Sequence, residues 1–312
     1  MMLPAILPHE HVFSRFRGGK EELAAEFLHS ELSRAARSGV TDIIDLTAYI
    51  NPVRYMDLIS DVPVRVHACV GFYLSNSVTR TVRGYSAKQL EQGLLRKYAR
   101  QRAHVSTAAL KVAAHQGNLS EFEGNAFRAV AAAHHSTGLP IVTHSPSGGL
   151  MHLRLLVSLG VEPHNVMLSH PELELKGQRK KPYGEVLRSM TACLDEGARL
   201  CFTDITPLSS SADAVRLALV RELVERGYGD RLVVSGDRSW SVRGSRVVFR
   251  GATTEHDPGF LLALDARAKL AALEVKDSDL QRIFQVNSAQ FFGLGHERRS
   301  TGETPPAISV HP

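Results

Sequence analysis

His9 and His11 stand one residue apart at the end of the first apolar run, Ile6-Leu7-Pro8-His9-Glu10-His11-Val12. In a strand, residues i and i+2 face the same way, so both imidazoles can reach one point, as a metal ion requires. Alone, the pair is also what a solvated strand end looks like. The rest of the chain adds further candidate ligands: Lys111, His144, His170 and Asp237 stand at the ends of four later strand-like runs. Four imidazoles and a carboxylate suit zinc or another borderline divalent ion.

Residues so far apart in sequence can meet only if a fold collects strand ends. Apolar runs at 5–8, 42–46, 64–70, 108–112, 140–143, 165–168, 199–202 and 232–235 are short, Leu-rich or β-branched, and apolar on both faces. Parallel strands covered on both sides read this way. Helix-like stretches separate them at 20–38, 86–101, 120–137, 150–159, 183–196 and 212–226. Ser86 is placed to cap the second, and Ser120 with Glu123 forms a capping-box pattern at the third. Eight strands in a βα rhythm predict a TIM (β/α)8 barrel, whose active-site groups gather at the C-terminal ends of the strands. The alternative is a doubly wound sheet, disfavoured because no Gly-rich dinucleotide fingerprint follows the first strand. The crossover after the second strand is interrupted by Pro52 and Pro63. We expect a single domain over 1–294 and a mobile C-terminal tail over 295–312, where charges, Ser/Thr and Pro mix.

Composition excludes several classes. No run approaches the ~18 apolar residues of a membrane span, and the N-terminus lacks a basic-then-apolar leader. Cys69, Cys193 and Cys201 are odd in number and widely spaced, which predicts buried thiols and a cytoplasmic protein. A net charge of +5 over 312 residues is a mild excess, and with few aromatics it gives no case for nucleic acid.

The matching segments are specific. LPHEHV at 7–12, ALKVAA at 109–114, TGLPIVTHS at 137–145, VMLSHPE at 166–172 and VVSGD at 233–237 resemble, in order, spacing and strand context, the phosphotriesterase family of the amidohydrolase superfamily. VNSAQFFGL at 286–294 resembles that family's closing helix. The resemblance implies two divalent metal ions, zinc first, with Mn, Co or Fe as alternatives. His9, His11 and Asp237 would hold the more buried ion, His144 and His170 the more exposed one, and carboxylated Lys111 would bridge them. An unmodified lysine has three donors and no acceptor, so only the carbamate could ligate. Two dications, a carbamate, Asp237 and a bridging hydroxide sum to about +1, a site that lowers the pKa of bound water to roughly 7. Asp237 would orient that hydroxide and take its proton.

Around the metals, Lys176, Arg179, Lys180 and Lys181 crowd the loop after the sixth strand. Arg238, Arg243, Arg246 and Arg250 follow Asp237, interleaved with Trp240, Val247, Val248 and Phe249. A solvated basic loop is the plain reading of the first group. Two basic loops at one mouth also predict an anionic small-molecule substrate, with Arg238, Lys176, Arg179 and Trp240 as contacts. Tyr73, after the third strand, resembles a pocket aromatic of the family. Ser145-Pro146-Ser147-Gly148-Gly149 could cradle a phosphate but reads more simply as a turn. His67, His104, His115, His134, His135 and His164 are set aside as structural or surface residues. The leading expectation is hydrolysis of a lactone or carboxylic ester by a metal-bridged hydroxide. Phosphodiester or phosphotriester hydrolysis, amide hydrolysis and a catalytically silent ligand-binding role are the alternatives. A homodimer is left open.

Overall fold

The computed structural model describes residues 4–13, 21–114, 118–175, 180–203, 211–243, 246–250 and 257–294. Lys176, Arg179 and the expected tail over 295–312 lie outside the described residues.

Eight parallel strands lie side by side in chain order. They are β1 (Ala5–Glu10), β2 (Val40–Asp45), β3 (Arg65–Gly71), β4 (Thr107–Ala113), β5 (Ile141–His144), β6 (Val166–Ser169), β7 (Arg199–Phe202) and β8 (Leu232–Val234). Every ladder between neighbours is parallel, so each connection must cross over, and helices make the crossings. These are α1 (Glu21–Arg37), α2 (Arg80–Arg83), α3 (Ala87–Gln101), α4 (Glu121–Thr137), α5 (Gly149–Ser158), α6 (Tyr183–Asp195) and α7 (Ser211–Glu225). The arrangement is the TIM barrel that the βα rhythm predicts. Ser86 and Ser120 cap α3 and α4 through reciprocal bonds with Gln89 and Glu123, which satisfies amides that a helix start leaves orphaned. Between β2 and β3 the chain makes only a 3-10 stretch, Pro52–Ile59, in the segment that Pro52 and Pro63 bound.

The strands bury both faces. Ile44, Leu46, Cys69, Ala109, Val142, Met167, Cys201 and Val233 fill the lumen. Leu7, Ile43, Val70, Val112, Ile141 and Leu168 face outward onto Leu28, Leu32, Phe127 and Leu153 of the helices. All three cysteines are buried free thiols. After β8, strands β9 (Trp240–Arg243) and β10 (Arg246–Phe249) pair antiparallel. That hairpin stands where the sequence reading expected an irregular binding loop. Its apolar face packs on α1, with Phe27 5.8 Å from Trp240 and 5.1 Å from Phe249 between ring centres. The chain then closes with α8 (Leu262–Ala272), α9 (Asp277–Gln281) and α10 (Asn287–Phe292). Asn287 donates to the carbonyls of Gly229 and Leu232 at 2.8 Å, so α10 is pinned under β8, and Phe291 and Phe292 join the lumen core. Among the described residues no helix is long and apolar enough to cross a membrane.

Candidate metal centre

The barrel seam between β8 and β1 sets the site. Among the described residues no ladder joins these two strands. In its place the Asp237 amide donates to the His9 carbonyl and the His11 amide to the Arg238 carbonyl, both at 3.0 Å. The side chain of Glu10, fully buried, supplies the remaining acceptors. It takes the Ser235 hydroxyl and the Gly236 and Arg238 amides, each at 2.7 Å. Ser235 Oγ in turn accepts the His9 amide at 3.0 Å. Burial pushes the Glu10 carboxyl up to about 7, against the pull of these donors. This locks the loop that carries Asp237, which sits at φ 49°, a left-handed conformation uncommon for a side-chain-bearing residue. His170 is held likewise at φ 69°.

The candidate ligands converge. His11 Nε2 lies 3.1 Å and His9 Nε2 3.5 Å from Asp237 Oδ1, and His170 Nδ1 lies 3.9 Å from Asp237 Oδ2. One ligand atom each from His9, His170 and Asp237 lie within 4.8 Å of one another. The rings form a chain: His11 to His9 at 5.6 Å, His9 to His170 at 4.9 Å, and His170 to His144 at 4.5 Å between centres. Lys111 rises from β4 into the middle, its Nζ 3.4 Å from His9 Nε2. All six residues singled out from sequence as ligands are therefore brought together.

Three of the imidazoles are held from behind. Nδ1 of His9 bonds Ser169 Oγ at 3.0 Å, Nδ1 of His11 bonds Thr47 Oγ1 at 3.1 Å, and Nδ1 of His170 bonds Thr203 Oγ1 at 2.6 Å. Two of these hydroxyls have committed their proton. Thr47 donates to Asp45 Oδ1 at 2.9 Å and Thr203 to Glu172 Oε1 at 3.2 Å. A hydroxyl has one proton, so each threonine must accept from its histidine. Nδ1 then carries the ring proton of His11 and His170, which leaves Nε2 of each with a free lone pair; that of His11 faces Asp237. Burial, with Lys111 adding to it, lowers His170 to about 4 and His9 well below its ordinary range. Both are neutral, as a ligand imidazole must be.

Lys111 is 1% exposed, and burial lowers it to about 8. A lysine in that environment carries a substantial share of the free amine, the form that can take up CO2. Gly71 gives β4 this position. Its N-terminal neighbour strand lies so close that a Cβ on Gly71 would fall 1.9 Å from the Lys111 carbonyl oxygen. The donor set fits two divalent ions. It has clustered imidazoles, two of them held in one tautomer, a half-buried carboxylate between them, and a buried lysine without an ion-pair partner among the described residues.

The expected substrate contacts divide. Tyr73 faces the site, 5.2 Å from His144 between ring centres, and burial with the nearby charge of Asp237 raises its hydroxyl to about 12. Arg238 does not face it. Its side chain is 8% exposed, and its guanidinium pairs with both oxygens of Asp257 at 2.5 and 2.6 Å and lies 4.9 Å over the Phe249 ring. Trp240 is 1% exposed and donates its Nε1 proton to the Val12 carbonyl at 2.8 Å. Both serve the hairpin, which sequence periodicity in so short an Arg-rich stretch did not reveal. Arg250, by contrast, is exposed at the end of the hairpin. In the other basic loop, Lys181 is tied to Glu174 at 3.0 Å and to Glu185 at 3.6 Å. Gly148 donates to Glu174 at 2.8 Å, so the Ser145–Gly149 stretch is a braced turn, not a phosphate cradle. Glu10, Thr47 and Thr203 were missed; the position of Glu10 between the two histidines was the one available signal.

Comparison with known proteins settles the lineage. Residues 3–292 match the model of the phosphotriesterase family. The chain belongs to that family. It is accordingly a metal-dependent hydrolase built on a TIM barrel. The chain is 26% identical over 244 residues to the phosphotriesterase homology protein of Escherichia coli strain K12, covering 74% of this chain and 80% of that one. A crystal structure of that Escherichia coli protein, with phosphate in its active site, superposes with a TM-score of 0.75 at 24% identity, over 94% of this chain and 99% of that one. A mutant of a Deinococcus radiodurans lactonase of this family superposes at 0.73 and 22% identity, over 93% and 95% of the two chains. At these identities the structures testify to the fold.

Proposed function

We propose that the protein hydrolyses a lactone or carboxylic ester of a small molecule at a binuclear metal centre. His9, His11 and Asp237 would hold one ion, His144 and His170 the other, and Lys111, once carboxylated, would serve both. The observation that carries the reading is the convergence of His9, His11 and His170 on Asp237, with the Nδ1 of each imidazole tied back to a hydroxyl. When bound, two such ions activate water and polarise the oxygen of the bond to be cleaved.

The chain's own groups do the rest. Asp237, half-buried among the imidazoles, is, among the described residues, the carboxylate in the cluster placed to accept the proton of the attacking water. In the metal-free protein burial would raise its carboxyl, but the surrounding imidazoles and the Lys111 ammonium hold it below the ordinary 3.8. Tyr73 gives the mouth an apolar wall with a protonated hydroxyl at its tip. With Arg238 paired to Asp257, the exposed Arg250 at the end of the hairpin is the guanidinium left to meet an anionic group of the substrate. The protein acts on dissolved small molecules without nucleic acid or membrane, in the cytoplasm.

Lactonase activity in one of the similar structures supports the ester class. A phosphoester reading is kept alive by the phosphate in the active site of the Escherichia coli relative. Metal-loaded protein should be assayed against lactones, aryl esters and phosphate mono-, di- and triesters. Lactone or ester turnover abolished in Asp237→Asn is the expected result. Turnover of phosphate esters alone would transfer the protein to the second reading.

A further inference from the structure

The opposite end of the barrel carries a second polar cluster. Asp42 in β2 shares a strand face with lumen residue Ile44, and His67 in β3 shares one with lumen residue Cys69. Both sit near the N-terminal ends of their strands, away from the metal ligands. Asp42 is 2% and His67 7% exposed, whereas Ser106, just before β4, is exposed.

Their hydrogen bonds run in one line. Asp42 Oδ1 lies 2.8 Å from His67 Nε2, and His67 Nδ1 lies 2.7 Å from Ser106 Oγ. Arg65 clamps the same carboxylate, Nε to Oδ1 at 2.8 Å and Nη2 to Oδ2 at 3.0 Å. An ionised carboxylate only accepts, so Nε2 must carry the proton of the neutral ring. Nδ1 is then the basic nitrogen, and the Ser106 hydroxyl points its proton at it. An oriented imidazole, a buried acid fixing its tautomer and an accessible hydroxyl are the parts of an activated nucleophile. Ser106 also opens onto a cavity of about 300 Å³, lined by Tyr98, Arg102, Ala108, Phe292 and Leu294. It offers an apolar wall and a guanidinium beside the hydroxyl.

The geometry points to Ser106 as a second reactive site, independent of the metals, that takes acyl groups from small activated esters. Ser106 Oγ forms the new bond to the acyl carbon, and the ester C–O bond breaks. The hydroxyl proton passes to His67 Nδ1 and from there to the leaving oxygen. The products are an O-acyl serine and a free alcohol or phenol, with no change of oxidation state.

The full-length protein should be exposed to limiting p-nitrophenyl acetate, digested, and mapped for acetyl-serine by mass spectrometry. Ser136, exposed on α4 and bonded to the Ala132 carbonyl, is the internal reference. Both serines compete for one reagent, so consumption at the metal centre cancels from their ratio. General-base assistance is worth roughly a hundredfold or more, so Ser106 should be acetylated at least that much faster than Ser136. The excess should vanish in His67→Gln and fall in Asp42→Asn. Equal acetylation of Ser106 and Ser136 in the wild-type protein, or an excess that survives His67→Gln, would overturn the assignment.

Discussion

Glu10 holds Arg238 by its backbone: the Arg238 amide donates to Glu10 Oε2 over 2.7 Å, and the Gly236 amide donates to Oε1 over the same distance. The two amides flank Asp237. A residue between His9 and His11 thereby fixes the position of a third candidate ligand, Asp237, where the barrel seam lacks a ladder among the described residues. In Glu10→Gln an NH2 group would face one of three donors, and a buried unmade bond costs about 1–3 kcal/mol. The variant should fold with a lowered Tm and bind zinc about tenfold to a hundredfold more weakly, the scale for a lost supporting partner. Unchanged zinc affinity in competition with a chelator would show that Asp237 keeps its place without the staple.

Thr47 and Thr203 carry a separate expectation. Each relays a buried carboxylate to the Nδ1 proton of a histidine. Thr203→Val keeps the shape and removes the hydroxyl. The ring of His170 should then populate both tautomers in 15N NMR of metal-free protein, with a loss of metal affinity of about tenfold. Thr203→Ser should restore both properties. A fixed tautomer in Thr203→Val would mean that packing orients the ring.

Arg238 and Arg250 should separate cleanly. Arg238→Ala strands the carboxylate of Asp257, whose side chain is 11% exposed, and breaking such a pair costs up to about 3–5 kcal/mol. Stability should fall, and kcat/KM should drop equally for charged and neutral esters. Arg250→Ala should leave stability within about 0.5 kcal/mol and raise KM for an anionic ester alone, about tenfold. Charge-selective loss in Arg238→Ala would reverse these roles.

Asp42 supplies a pH dependence. Burial alone would raise its carboxyl, but hydrogen bonds from His67 and Arg65 outweigh it and hold the group at about 2, below the ordinary 3.8. A depressed acid stabilises the fold above its unfolded value, and that stability is lost as pH falls through the folded one. The window is therefore about pH 4 down to about pH 2. The shift converts to about 2 kcal/mol, reduced toward 1 because the Arg65 side chain is 67% exposed and screened. Urea unfolding of metal-free protein should show this acid loss in wild type and a flatter profile in Asp42→Asn. Parallel profiles would locate the acid sensitivity elsewhere.

The barrel was legible because its strands are apolar on both faces and its helices carry local caps, signals that survive in a single sequence. The six convergent residues were legible because each ends a strand, and strand ends meet in a barrel. The fate of Arg238 and Trp240 was not. Whether a charged or aromatic side chain turns to solvent or to a buried partner depends on Asp257, Val12 and Phe249, which only the hairpin fold brings near. The reach of Glu10 across the seam was hidden for the same reason: its partners are backbone amides, and sequence does not mark those.

The central claim is a binuclear centre bridged by Lys111, and elemental analysis tests it most directly. Protein expressed with zinc and bicarbonate should carry about two equivalents per chain, and Lys111→Ala should lose most of both, since a bridging ligand serves each ion. A single equivalent that persists unchanged in Lys111→Ala would contradict the account.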